Sequence, residues 1–126
     1  SGKVPLFFME AVTYQCACNA AEQILEKYRE KINGIICVND IMALGVINTL
    51  KQHNIRIPEE IAVAGFDDSI FSVTSPVPIT TVRQNVSEIA EKSLQKLLSL
   101  IDTGEAQQTL LKEIIPVELI TRASTE

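Results

Sequence analysis

Ile61-Ala62-Val63-Ala64-Gly65-Phe66-Asp67-Asp68 decides the fold of this chain. From Ile61 to Gly65 every residue is apolar or small. Strict alternation would mark a strand with one wet face; an unbroken run predicts a strand covered on both faces, as in a parallel sheet. The run stops at two adjacent carboxylates. In open α/β sheets ligands bind beyond the carboxyl ends of the strands, so Asp67 and Asp68 stand where recognition is usually built. Acidic pairs after strands also cap turns and helices, and that plainer role stays open for both.

A second stretch ends the same way. Gly34-Ile35-Ile36-Cys37-Val38 is continuously apolar and runs into Asn39-Asp40. The residues Ile41 to Leu50 then predict a helix. Asp40 is its expected N-cap, accepting from an amide of the first turn. That leaves Asn39 without structural duty and able to face a pocket. His53 to Glu60 reads as loop, because Pro58 forbids helix continuation. His53 itself is expected as a C-terminal cap or a solvated side chain. The order strand, helix, loop, strand is a βαβ unit with both strand tips polar.

Outward from this unit, Pro5 to Met9 predicts a first strand. Cys16 to Tyr28 predicts a helix whose Ala17, Ala20, Ala21, Ile24, Leu25 and Tyr28 share one apolar face. Ser69 to Val77 reads as a turn of helix and a loop, and Ile79 to Arg83 as a strand. Val86 to Asp102 is the longest helix, stopped by Gly104. Leu110 to Thr121 holds the last strand material, interrupted by Pro116. The fold class expected is α/β: a Rossmann-like, open, mainly parallel sheet with helices on both faces.

Composition bounds the function. The 126 residues allow one domain with a true core, and the 46% hydrophobic and 21% charged content is ordinary for a globular chain. Eleven basic against sixteen acidic residues give a net charge of −5, so this piece is not expected to bind nucleic acid by itself. No apolar stretch approaches the roughly 20 residues of a membrane helix, and no signal peptide is expected. Three unpatterned cysteines suit a reducing cytoplasm, the expected location. With Cys37 in an apolar strand, Cys16, Cys18 and His53 are the soft ligands left, and they match no zinc spacing, so no metal or cofactor is expected. Asp67-Asp68 could hold Mg²⁺ for phosphoryl transfer, but neither a Gly-rich phosphate loop nor a nucleophile-base pair accompanies it. Catalysis is not expected.

Four blocks carry a resemblance. Val38-Asn39-Asp40-Ile41-Met42-Ala43-Leu44-Gly45 is followed by Ile57-Pro58-Glu59-Glu60-Ile61-Ala62-Val63-Ala64-Gly65-Phe66-Asp67-Asp68. Then come Pro78-Ile79-Thr80-Thr81-Val82-Arg83-Gln84 and Pro116-Val117-Glu118-Leu119-Ile120-Thr121-Arg122. In order and at this spacing, over roughly Ala20 to Thr125, they resemble the effector domain of the lactose/galactose repressor family of transcription regulators.

The resemblance implies a periplasmic-binding-protein-like effector domain that holds a small molecule, usually a sugar or nucleoside-type compound, between two Rossmann-like subdomains. It implies that residues 1–126 are one partial domain without the helix-turn-helix reader, so that DNA is reached only through that missing part. Residues 4–83 would fall in the C-terminal subdomain, 84–113 in the N-terminal one, and 114–122 would form a return strand. Arg83 and Pro116 would lie near crossovers. Asn39 and Asp67 are carried over as ligand contacts, with Tyr14 as the nearest aromatic to stack on a sugar face. Asp40 and Asp68 are given structural roles. Cys18 departs from the family pattern, which commonly has an aromatic there. The family's homodimer contact maps to Ile41 to Leu50 and Ser69 to Pro78, with Leu44, Ile47, Phe71 and Val73 as its apolar residues; that Leu44 and Ile47 are plain core stays open. An exported solute-binding protein shares the fold and stays open as the alternative.

Overall fold

The computed structural model describes residues 5–103 and 112–126. Gly104, read as the helix stop, and the residues 110–111 that begin the last strand material lie outside the described residues. The chain divides into two compact units, Ser1–Arg83 with Leu119–Glu126, and Gln84–Glu118.

In the first unit α1 spans Tyr14–Tyr28, β1 Gly34–Ile36, α2 Asp40–Gln52, β2 Ala62–Ala64 and α3 Ile70–Thr74. Strands β1 and β2 pair in parallel with Ile35 opposite Val63. The ladder continues past their ends, where the Cys37 amide donates to the Ala64 carbonyl at 2.8 Å. Ala64 also forms a parallel bridge with Thr80, and the Gly65 amide donates to the Thr80 carbonyl at 2.8 Å. Three chain segments therefore lie side by side, as βαβ connectivity demands. Residues Pro5 to Met9 take no part: they are not a strand, and Leu6 and Phe8 are exposed.

The core lies between the strands and the paired helices. Ala17, Ala21 and Leu25 of α1 meet Ala43, Val46, Ile47 and Leu50 of α2, over Val63 and Ile79. Each large aliphatic side chain so buried contributes about 1.5–3 kcal/mol. The two helices run in the same direction, since Tyr14 bonds Asn48 and Glu22 meets His53 further along. They also approach closely: a Cβ on Gly45 would stand 2.7 Å from the Tyr14 carbonyl oxygen. Burial differs between the strands. Val63 is fully buried, whereas Ile36 and Val38 are 88% and 63% exposed. The segment from Gly34 to Val38 is thus covered on one face, not two, because among the described residues nothing packs over Ile36.

Beyond Pro78 the strand starts later than expected. β3 spans Thr81–Gln84; Thr80 just before it joins the sheet only as the isolated bridge to Ala64. The Ile79 amide donates to the Ser72 carbonyl, and the Thr80 amide to Ser124 Oγ at 2.8 Å. β4 spans Val117–Ile120, just after Pro116, and pairs with β3. In the second unit α4 covers Val86–Thr103. Asn85 caps it, its Oδ1 accepting from the Glu88 amide at 3.2 Å. Lys92 pairs with Glu88 within the helix at 3.1 Å and ties the helix to the segment after it through Glu113 at 2.5 Å. Leu94, Leu97, Leu98 and Ile101 of α4 are exposed.

Candidate functional site

The carboxyl ends of β1 and β2 gather most of the polar residues singled out above. The N-cap of α2 is Asn39 and not Asp40, which keeps a structural role of another kind. Asn39 is the N-cap of α2, its Oδ1 accepting from the Met42 amide at 3.1 Å. Only one oxygen is spent that way; the Asn39 amide nitrogen has no partner among the described residues. Asp40 is the first helical residue and fully buried. Its Oδ2 accepts from the Ser69 amide and its Oδ1 from the Thr81 hydroxyl, both at 2.6 Å. The choice of cap follows from backbone geometry: Asn39 is extended and points its side chain back at the first turn, as a cap must. Gly65 is required beside Asp40, since a Cβ there would overlap Asp40 Oδ1.

Asp67 lies on the same edge, in the segment beside Asn39, where the Asp40 amide donates to the Phe66 carbonyl at 3.1 Å. It is exposed, and its own amide donates to the Val82 carbonyl at 2.9 Å. Asp67 and Asp68 both hold positive φ, 94° and 48°. Two consecutive non-glycine residues in this region are costly and persist only when the surroundings enforce them.

Asp68 supplies that enforcement. Its Oδ1 accepts from Arg122 Nη2 at 2.7 Å and from Ser72 Oγ at 3.0 Å, and its Oδ2 from Arg83 Nε at 2.7 Å. The Asp68 amide donates to Thr81 Oγ1 at 3.3 Å. Burial by itself would raise the carboxyl; the bonds from Arg122, Arg83 and Ser72 outweigh it and hold Asp68 below the usual carboxylate range. Arg122 is anchored further by donating Nη1 to the Ile79 carbonyl at 2.9 Å. The turn role expected of Asp68 is thus only part of its work. Neither arginine is visible as a partner from spacing, because they stand 15 and 54 residues away.

Two other expected site residues are placed elsewhere. The Tyr14 hydroxyl accepts from Asn48 Nδ2 at 2.9 Å. Asn48 lies nine residues along α2 from Asn39, roughly 13 Å at the helical rise, so Tyr14 serves the pairing of α1 with α2 rather than the strand tips. Ile47 is fully buried in the core and is not available to a partner chain, because the apolar stripe of α2 turns it onto the sheet. Leu44 and Phe71 are half-buried and Val73 is 54% exposed. Burial pushes the Cys37 thiol up to about 12, which keeps it protonated at neutral pH. Among the described residues no cluster of His, Cys, Asp and Glu could hold a metal ion, and no helix is long and apolar enough to cross a membrane.

Comparison with known proteins agrees with this architecture. Residues 8–125 match the model of the periplasmic binding protein-like domain family. The arabinose metabolism transcriptional repressor of Halalkalibacterium halodurans is 29% identical over 126 residues, which covers 90% of this chain and 33% of the repressor. A lactose-bound regulator of the lac repressor family from Arthrobacter sp. FB24 superposes with a TM-score of 0.78 at 26% identity, covering 90% of this chain and 42% of that one. The lac repressor dimer bound to operator and an anti-inducer superposes at 0.76 with 25% identity, over 90% of this chain and 33% of that one. This chain thus spans about a third of the repressors it matches. It belongs to the periplasmic binding protein-like domain family, and the relatives it resembles are regulators of the lactose/galactose repressor type.

Proposed function

We propose that this chain is the effector-sensing part of a transcription regulator, and that a sugar binds at the edge formed by Asn39 and Asp67. The observation that supports the reading is that an exposed carboxylate, Asp67, and a half-exposed carboxamide, Asn39, follow the carboxyl ends of two adjacent parallel strands. A carboxylate accepts two vicinal hydroxyls at once, and the Asn39 amide nitrogen donates to a third oxygen. Relatives named for arabinose metabolism or solved with lactose support a sugar as the ligand class.

In this reading the first unit is most of the C-terminal subdomain and Gln84–Glu118 belongs to the N-terminal one. The sugar is held between the two lobes of the complete domain, in the cytoplasm. A helix-turn-helix domain elsewhere in the protein binds DNA. A second copy docks on Leu44, Phe71 and Val73 to form the homodimer. The regulator reading is preferred to an exported solute-binding protein because the relatives named above are regulators.

A thermal-shift screen of pentoses, hexoses, disaccharides and nucleobases on the full-length protein tests the reading. A sugar at a hundred times its dissociation constant adds about 2.7 kcal/mol to stability. If every sugar fails while a nucleobase raises Tm, the ligand class is wrong.

A further inference from the structure

The geometry points to Asp68 as a positioning residue that links Asp67 to both chain segments running between the two units. Asp67 and Asp68 are neighbours in one left-handed turn. While Asp67 is exposed at the edge, the Asp68 side chain is turned inward and only 10% exposed. There it meets one guanidinium from each crossing segment. Arg83 is the last residue of the first unit before the chain leaves it, and Arg122 lies three residues after Leu119, where the chain returns. One carboxylate therefore holds the departing and the returning strand together, one residue from Asp67 in the same left-handed turn. Thr81 joins the same cluster, accepting from the Asp68 amide and donating to buried Asp40.

A displacement of either crossing segment pulls on Asp68 and so re-aims Asp67. Conversely, a ligand that draws on the Asp67 carboxylate loads both guanidinium bonds. The second half of this statement rests on the sugar-site reading; the first half does not, and the experiment is placed there.

Amide hydrogen exchange followed by NMR on the full chain reads the coupling without any ligand. Arg83→Gln and Arg122→Gln each remove a charge-assisted bond to Asp68, and each is expected to speed exchange of the Asp67 amide roughly tenfold. The amides of Ala20 and Ala21 in α1 serve as the reference and are expected to hold their rates. In an Asp68→Asn background, adding either arginine substitution is expected to change the Asp67 rate no further. Asp68→Glu keeps the charge and is expected to restore part of the protection. Full persistence of the arginine effects in the Asp68→Asn background overturns the proposal, because the signal then runs through the Val82 backbone contact instead. No effect of either arginine on Asp67 in the parent chain also overturns it. Arg83 is half exposed, so Arg83→Gln keeps the test available if Asp68→Asn fails to fold.

Discussion

Asp40 and Thr81, 41 residues apart in sequence, meet in the interior with the threonine hydroxyl donating to the carboxylate at 2.6 Å. Both are essentially sealed from solvent. The bond pins the first turn of α2 to the start of β3, and the Ser69 amide bonds the other carboxylate oxygen at 2.6 Å. A helix start, a strand and the loop after Asp68 are thereby locked by one side chain.

Asp40→Asn keeps the shape but loses the charge that both donors address. Hydrogen bonds to a charged group contribute about 1.5–3 kcal/mol each, and an amide retains one acceptor of the two. A loss of about 2–4 kcal/mol is expected, read as a lowered urea midpoint at unchanged m-value. Thr81→Val is expected to cost about 1–3 kcal/mol, since it leaves one Asp40 oxygen buried without its donor.

Asp68 ties stability to pH. Its folded carboxyl titrates below the ordinary value, so its contribution is complete above the unfolded value of about 3.9 and is lost as pH falls through the folded one. The urea midpoints of the parent chain and of Asp68→Asn should differ from neutrality down to about pH 4. Below that they should converge. A gap that stays constant into the acid range contradicts the arginine clamp.

Asp67 and Tyr14 are separable by affinity. Asp67→Ala in the full-length protein is expected to weaken the proposed sugar binding roughly ten- to hundredfold in calorimetry, the equivalent of one charged hydrogen bond. Tyr14→Phe removes only the bond from Asn48 and is expected to leave affinity unchanged while costing about 1 kcal/mol of stability. Equal affinity after Asp67→Ala strikes that residue from the site.

Gly45 is the contact point of the two parallel helices. A methyl group there would press on the Tyr14 carbonyl at 2.7 Å and on the Ala17 Cβ at 3.0 Å. Gly45→Ala gains helix propensity, worth roughly 1 kcal/mol, but forces the helices apart at a cost of about 1–3 kcal/mol. Net destabilisation is expected, visible as a lower Tm; a rise would mean that α1 yields freely.

Much of this protein was legible in the order of its residues. The apolar runs ending at Asn39-Asp40 and Asp67-Asp68 marked two strands and their polar edge, because an extended apolar run is a local consequence of side-chain type, whereas the cover over Ile36 is not and was misread. The helices of α1, α2 and α4 were equally plain, since a 3.6-residue period needs no distant partner. What pairs with what was not local. Asn39 rather than Asp40 became the cap, Tyr14 turned to Asn48, Ile47 went to the core, and Asp68 drew in Arg83 and Arg122. Each of these choices depends on which segments the fold brings within bonding distance, and hydrogen bonds and charge pairs act only over a few ångströms. Sequence determined β1, β2, the helices and the edge at which a ligand is proposed to bind; tertiary contact decided which carboxylate is exposed there and which one holds the chain in place.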